Sequence, residues 1–587
     1  MTPETILKTK FGYDNFRGGQ KEIIDAALQE KNVLAIMPTG GGKSLCYQIP
    51  ALLFPGVTMV ISPLISLMKD QVDALNENGI AATFINSTLT ATQIKTRLAE
   101  LTNGTIKILY VSPERLDSGY FNLLSRLPID LVAIDEAHCI SQWGHDFRPS
   151  YLTVTEIIKK LPSQPTIMAL TATATPKVAK DIMQRLEISK KVQTDFSRPN
   201  LAFQVVKNQD SDRFLLDYLK INPTNSGIIY ASTRKEVERI YSLLTHKKII
   251  ATKYHAGLSA SERQNNQEDF LYDRTPVMVA TNAFGMGIDK SNVRFVIHAQ
   301  VPGTLEAYYQ EAGRAGRDGL DSDVILLFKL RDVQIQHFFI QQNEMDEKNK
   351  QQAFLKLQEM TTYANTEDCL PQFILKYFGE VTASCGKCSN CLDNREQQEI
   401  TLETQKILSC VKRMNQRFGK VLVAQVLTGS RVQKIKDLHF DQLSTFGILK
   451  DQSQKSVSET IDYLVAAGFL QAVGGQYPVL NITPRGLLVL TGQEKVFRKM
   501  AATVKKVSLE VDGDLFEELR SLRRQLAEEQ HVPPFVIFSD QTLKEMCTVM
   551  PKTLDDLLDI KGIGESKRDK YGQVFLEVIQ QKNAALQ

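Results

Sequence analysis

Five short runs of aliphatic and β-branched residues punctuate the first third of the chain: NVLAIM (32–37), VTMVIS (57–62), IKILYVS (106–112), LVAIDE (131–136) and TIMALTA (166–172). Each is apolar at nearly every position, so each must be covered on both faces. A parallel sheet flanked by helices meets that demand. A second series repeats the pattern at SGIIYAS (226–232), PVMVAT (276–281), RFVIHA (294–299) and DVILLF (323–328). Longer segments of helical character separate the runs, so the sequence predicts two α/β lobes joined near FSRPNLAFQVV at 196–206. In open parallel sheets the chemistry sits in loops beyond the carboxyl ends of the strands.

The loop after the first run reads MPTGGGKS, residues 37–44. It is a phosphate-binding loop with Met37 where the usual first glycine stands. Pro38 and Thr39 lead into Gly40, Gly41 and Gly42, whose backbone N–H groups are free to turn around phosphate at a helix N-terminus. Lys43 reaches the β/γ-phosphates, and the Ser44 hydroxyl suits Mg²⁺. Asp135 ends the fourth apolar run, placed to hold the same Mg²⁺, and Glu136 beside it is the group to orient and deprotonate water. In the second lobe, YYQEAGRAGRDG (308–319) offers Arg314 and Arg317, read as one helical turn apart on one face, with Gln310 placed to sense the γ-phosphate. Together these residues predict a nucleoside triphosphatase whose catalysis depends on lobe closure.

With those residues in place, the first 330 positions resemble superfamily-2 helicases, in which Ala or Met commonly stands at the position of Met37. SPLISLMKDQ (62–71), VSPERL (111–116), ALTATAT (169–175), YASTRKEVE (230–238) and VATNAFGMGIDKSNVRFVIH (279–298) match further motifs of that class. More narrowly, the chain resembles the bacterial RecQ family of DNA helicases. FGYDNFRGGQ (11–20) resembles the adenine-reading segment of that family, which implies Gln20 on the adenine edge with Phe16 and Arg17 in support. CISQWGHDFRPSY (139–151) resembles its aromatic-rich loop, so His138, Trp143, Phe147 and Arg148 are expected to couple bound DNA to the ATP site. Trp143 is the single tryptophan of the chain and lies among polar residues, as a base-stacking platform would.

Cys369, Cys385, Cys388 and Cys391 have the spacing of one tetrahedral structural Zn²⁺ site. The first is followed by Leu-Pro, where the family usually carries Arg-Arg. Residues 401–510 hold 16 Lys+Arg against 8 Asp+Glu, and residues 401–505 resemble the family's winged-helix domain, with Tyr477 on the wing. Such a surplus suits duplex phosphates. Residues 511–587 hold 10 against 14 and resemble the helicase-and-RNaseD C-terminal (HRDC) domain. There the turn Gly562–Gly564 reads equally well as a phosphate anchor or as a tight interhelical turn.

The resemblance implies an α/β protein of two tandem RecA-like lobes, 1–205 and 206–335. A helical zinc-binding module at 336–400, a winged helix at 401–508 and a small all-helical domain at 511–587 follow. It further implies an ATP- and Mg²⁺-dependent 3′→5′ DNA helicase with structural Zn²⁺, acting on forks, joints and quadruplexes in recombination and repair. Single-stranded and forked double-stranded DNA are the expected partners, with single-strand-binding protein and other repair proteins beside them. A 43% hydrophobic, 23% charged composition, with no apolar run near ~18 residues, predicts a cytoplasmic, nucleoid-associated protein without a membrane partner. Two alternatives compete: an RNA helicase of the same superfamily, and a DNA-binding scaffold with a dead nucleotide site.

Overall fold

The computed structural model describes residues 1–63, 65–86, 89–116, 124–141, 143–144, 148–207, 209–285, 290–499 and 514–586. The apolar runs become strands of two all-parallel sheets. The first contains β1 (Val33–Ile36), β2 (Val57–Ile61), β3 (Ala82–Ile85), β4 (Ile108–Val111), β5 (Ile129–Ile134), β6 (Thr166–Thr171) and β7 (Lys190–Gln193) in the order β3-β4-β2-β5-β6-β1-β7. The second contains β8 (Leu201–Lys207), β9 (Gly227–Tyr230), β10 (Ala251–Tyr254), β11 (Val277–Ala280), β12 (Phe295–His298) and β13 (Ser322–Phe328) in the order β10-β11-β9-β12-β13-β8.

Strands β3, β7, β8 and β10 have no counterpart among the apolar runs, and all four are sheet edges. An edge strand has a neighbour on one side alone, and β7 and β10 are buried at a single position each. Strand β8 also moves the lobe boundary. Residues 201–205, expected to close the first lobe, pair with β13 in the second sheet. The linker is therefore the short stretch between Gln193 and Leu201.

One hydrophobic core runs through both lobes and the zinc module. In that module the helices Leu330–Gln342, Glu347–Asn365 and Leu370–Tyr377 follow the second lobe. Leu370, one of the two residues replacing the family's Arg-Arg, is fully buried in this core. The Ser389 N–H donates to the Phe203 carbonyl (2.9 Å), so the cysteine loop covers the open edge of β8.

The winged-helix domain has its own core. Its wing is the antiparallel hairpin of two strands, Leu470–Val473 and Val479–Ile482, with Tyr477 81% exposed in the turn. The C-terminal helices Asp514–Gln530, Asp540–Val549 and Glu565–Leu586 form a separate small core. That domain docks on both lobes. On the first lobe, the Gly562 N–H donates to the Gly12 carbonyl (3.1 Å), and Lys570 pairs with Glu77 (2.7 Å). On the second, the fully buried Arg523 pairs with Asp540 of its own domain (2.9 Å) and lies 3.7 Å from Asp273 of the lobe. Asp273 is also paired with the buried Lys290. Although burial works against its charge, Lys290, Arg523 and Arg520 hold the Asp273 carboxyl well below the usual carboxylate range.

Candidate active site

The phosphate loop follows β1 directly, and the reason it tolerates Met37 is visible there. The Met37 N–H donates to the Thr171 carbonyl (3.0 Å), extending the strand by one pair, and the side chain is 1% exposed within the core. The left-handed backbone falls later, at Gly40 (φ 79°) and Gly42 (φ 78°), so those positions need glycine and Met37 does not. Gly42 caps the helix Lys43–Ala51, and a Cβ there would lie 2.4 Å from Gln20 Nε2.

The segment at 16–20 braces this loop from outside. Arg17 Nη1 donates to the Gly40 carbonyl (2.7 Å), and Gln20 Nε2 donates to the carbonyls of Gly41 (3.3 Å) and Gly42 (3.1 Å). Gln20 Oε1 accepts from the Arg17 N–H (2.8 Å), and Phe16 packs beneath on a small apolar cluster. Gln20 thus has its amide on the phosphate loop in this structure. Lys43 Nζ lies against the carbonyls of Met37 (3.3 Å) and Pro38 (3.4 Å). Burial lowers its pKa, and the charges of Glu136 and Asp135 oppose that shift.

Asp135 leaves the end of β5. Burial, with the Glu136 charge, pushes its carboxyl up to about 7. Glu136 adopts a left-handed backbone (φ 48°), a costly conformation for a non-glycine residue and one typical of functional sites. Its carboxylate lies 3.2 Å from His138 Nδ1, which is also 3.1 Å from Thr171 Oγ1. Burial works against the His138 charge, but Cys139 and Glu136 outweigh it and raise the pKa to about 10. Thr171 ends β6, so one residue touches both the phosphate-loop strand and the acid-histidine turn.

Across the cleft, the expected helical pairing of Arg314 and Arg317 is corrected. The helix Leu305–Ala312 stops before them, and Gly316 is left-handed (φ 57°). The two arginines sit on consecutive turns. Both glycines of the motif have structural work: a Cβ on Gly313 would lie 2.8 Å from Thr39 Cβ, and one on Gly316 2.3 Å from Asn200 Nδ2. Arg314 is buried and donates to the Gly285 carbonyl, whereas Arg317 carries its Cγ 3.4 Å from where a Cβ of Gly40 would be. A cleft of about 380 Å³ between the lobes is lined by Lys43, Ser44, Asp135, Glu136, Gln310, Arg314 and Arg317, and also by Gln20 and Tyr13.

Trp143 is half-buried, with the Lys177 ammonium 3.1 Å and the Lys348 ammonium 5.0 Å from its ring centroid. Its carbonyl accepts from Lys356 Nζ (3.2 Å), so the loop touches the zinc module. Arg148 Nη1 lies 3.5 Å from the Pro63 carbonyl, and Phe147 lies outside the described residues. The four zinc-site sulfurs lie within 4.8 Å of one another. Backbone N–H groups of Leu370 (3.4 Å), Cys385 (3.2 Å), Cys388 (3.2 Å) and Cys391 (3.4 Å) point at them, as suits thiolates gathered on one metal. The turn at Gly562–Gly564 is not open to phosphate. The Gly562 N–H is spent on Gly12, and Gly564 lies under the carbonyls of Thr9 and Lys10. Thr171 and the linker residue Arg198, whose guanidinium meets the carbonyls of Thr39, Gly313, Ala315 and Gly316, were not singled out from sequence.

Models of known families match nearly the whole chain. They are a DEAD/DEAH box helicase (17–182), a helicase conserved C-terminal domain (210–319), a RecQ zinc-binding domain (330–392), an RQC domain (394–507) and an HRDC domain (512–579). The ATP-dependent DNA helicase RecQ of Bacillus subtilis is 52% identical over 98% of each chain. That of Pasteurella multocida is 42% identical over 100% of this chain and 95% of its own. The ATP-dependent helicase SGS1 of Saccharomyces cerevisiae is 38% identical over 85% of this chain and 36% of its own.

Proposed function

The chain belongs to the RecQ family of ATP-dependent DNA helicases, and on that premise we propose that it moves 3′→5′ along single-stranded DNA and opens forked, recombination and repair intermediates, quadruplexes included. The supporting observation is the cleft itself, with phosphate loop and acids on one wall and arginines on the other. In this reading Lys43 and the N–H groups of the loop bind the β/γ-phosphates, Glu136 accepts a proton from the attacking water, and Arg314, Arg317 and Gln310 bring positive and polar groups to the transferring phosphoryl. Positive charge arriving from the second lobe makes hydrolysis depend on closure, and closure moves the lobes along the strand.

Ser44 and Asp135 offer oxygen donors on the same wall, a set suited to Mg²⁺, which supplies charge neutralisation at the β/γ-phosphates when bound. Cys369, Cys385, Cys388 and Cys391 would hold one Zn²⁺, which contributes folding energy to the module that covers the edge of β8. Trp143, Phe147, Arg148 and His138 would relay strand occupancy to Glu136. The 3.2 Å pairing of Glu136 with His138 favours that route. Tyr477 fits strand separation better than packing, because it is 81% exposed. The basic winged helix would take duplex phosphates, with single-strand-binding protein and other repair proteins as partners at the nucleoid. Among the described residues, no helix is long and apolar enough to cross a membrane.

The test is strand displacement beside phosphate release on 3′-tailed, 5′-tailed and forked duplexes. Activity on 3′-tailed and forked DNA, absent with the 5′ tail, is expected. Stimulation by RNA strands but not DNA would overturn the assignment.

A further inference from the structure

Arg198 leaves the linker between the lobes and enters the seam between the phosphate loop and the arginine turns. Nη1 donates to the Thr39 carbonyl on the first lobe and lies 3.4 Å from the Gly313 carbonyl on the second. Nη2 donates to the carbonyls of Ala315 (2.9 Å) and Gly316 (2.9 Å), and Nε to Asn200 Oδ1 (3.4 Å). Every one of these acceptors is neutral. Burial draws the Arg198 pKa down to about 10; Tyr309 and Asp318 oppose that shift, and the charges of Arg317 and Arg17 add to it. A cation whose hydrogen-bond acceptors are all neutral is not held as an ion pair. Its donors are taken by backbone carbonyls, so what it supplies is geometry.

That geometry bears on the chemistry. Ala315 and Gly316 directly precede Arg317, and Thr39 directly precedes Gly40. Fixing the two backbones to one planar guanidinium sets the distance from Arg317 to the phosphate loop. The linker end is fixed as well. The Phe196 ring stacks on Phe378 (5.2 Å), its N–H donates to Glu380 (3.2 Å), and its carbonyl accepts from Tyr309 Oη (2.5 Å).

We propose that Arg198 is a positioning residue that seats the Arg317 turn on the phosphate loop and ties the chemical step to the linker between the lobes. The proposal rests on the reading of Arg317 as the residue facing the transferring phosphoryl. Small misplacements of a catalytic group lower rates about 10²-fold. A lysine at 198 would not substitute, because one ammonium cannot reproduce a two-ended planar fork.

The test compares full-length wild type with R198A, R198K, R317A and R198A/R317A, using DNA-stimulated phosphate release, affinity for a fluorescent ATP analogue, and melting temperature. In R198A and R198K kcat should fall about 10²-fold, with analogue affinity and melting temperature close to wild type. The double variant should be no slower than R317A alone, because Arg198 acts through Arg317. Wild-type kcat in R198A with R317A inactive would overturn the proposal while sparing the reading of Arg317. So would losses that multiply in the double variant, or a raised KM at unchanged kcat. Wild-type kcat in R317A would overturn that reading itself. Should R198A melt early, R198K supplies the same comparison with the side-chain stem retained.

Discussion

Two buried arginines stand at two different seams of this helicase, and they meet different partners there. Arg198 meets backbone carbonyls at the seam beside the ATP cleft, whereas Arg523 meets two carboxylates, with one carbonyl of its own domain, where the C-terminal domain docks. The carbonyl contacts of Arg198 are directional and carry no counter-charge. The seam around Arg523 is the reverse. Lys290, Asp273, Arg523 and Asp540 are all buried, and removing one member strands the others.

The largest expected effect lies in the cleft. Lys43→Ala should abolish turnover and unwinding, and Glu136→Gln should retain ATP binding while slowing hydrolysis at least ~10²-fold. Both should leave the C-terminal domain docked, which amide exchange at Gly562 would report. Next comes the ionic seam. Arg523→Ala removes one partner of a buried cluster and should weaken docking by about 3–5 kcal/mol. Exchange at Gly562 would then rise, with ATP turnover staying within a few-fold of wild type.

Acid should separate the seams less sharply. The Asp273 pKa lies below its ordinary value in the docked state, so its contribution is full above about pH 4 and is lost as pH falls further. Small-angle scattering should show the domain releasing below that pH, with Trp143 fluorescence reporting whether the motor is still folded. Smallest in stability is Tyr477→Ala, outside both seams. It should change melting by less than ~0.5 kcal/mol while lowering fork unwinding relative to ATP turnover.

What could be read from sequence follows the same division. Lys43, Asp135, Glu136 and the four cysteines form local patterns, each tied to a strand end or a fixed spacing. The central strands were legible because burial on both faces forces continuous apolar runs. The edge strands β7, β8 and β10 escaped because much of their surroundings is solvent or another module, whereas β3, buried at three of four positions, is too short a run to stand out. Arg198 and Arg523 escaped for a different reason. Most of their partners are backbone carbonyls or residues far along the chain, such as Thr39 for Arg198 and Asp273 for Arg523, and these leave no pattern in sequence. The acidic C-terminal domain turns Arg523 and Lys570 toward acids of the motor, so its docked face is basic although its total is not. The Gly562–Gly564 turn is occupied by the same docking.

The most direct test places R317A beside R523A and measures DNA-stimulated phosphate release together with amide exchange at Gly562. The account predicts that R317A loses turnover with protection intact, and that R523A loses protection with turnover largely intact. Loss of turnover in R523A as deep as that in R317A would contradict it, because the two seams would then be one.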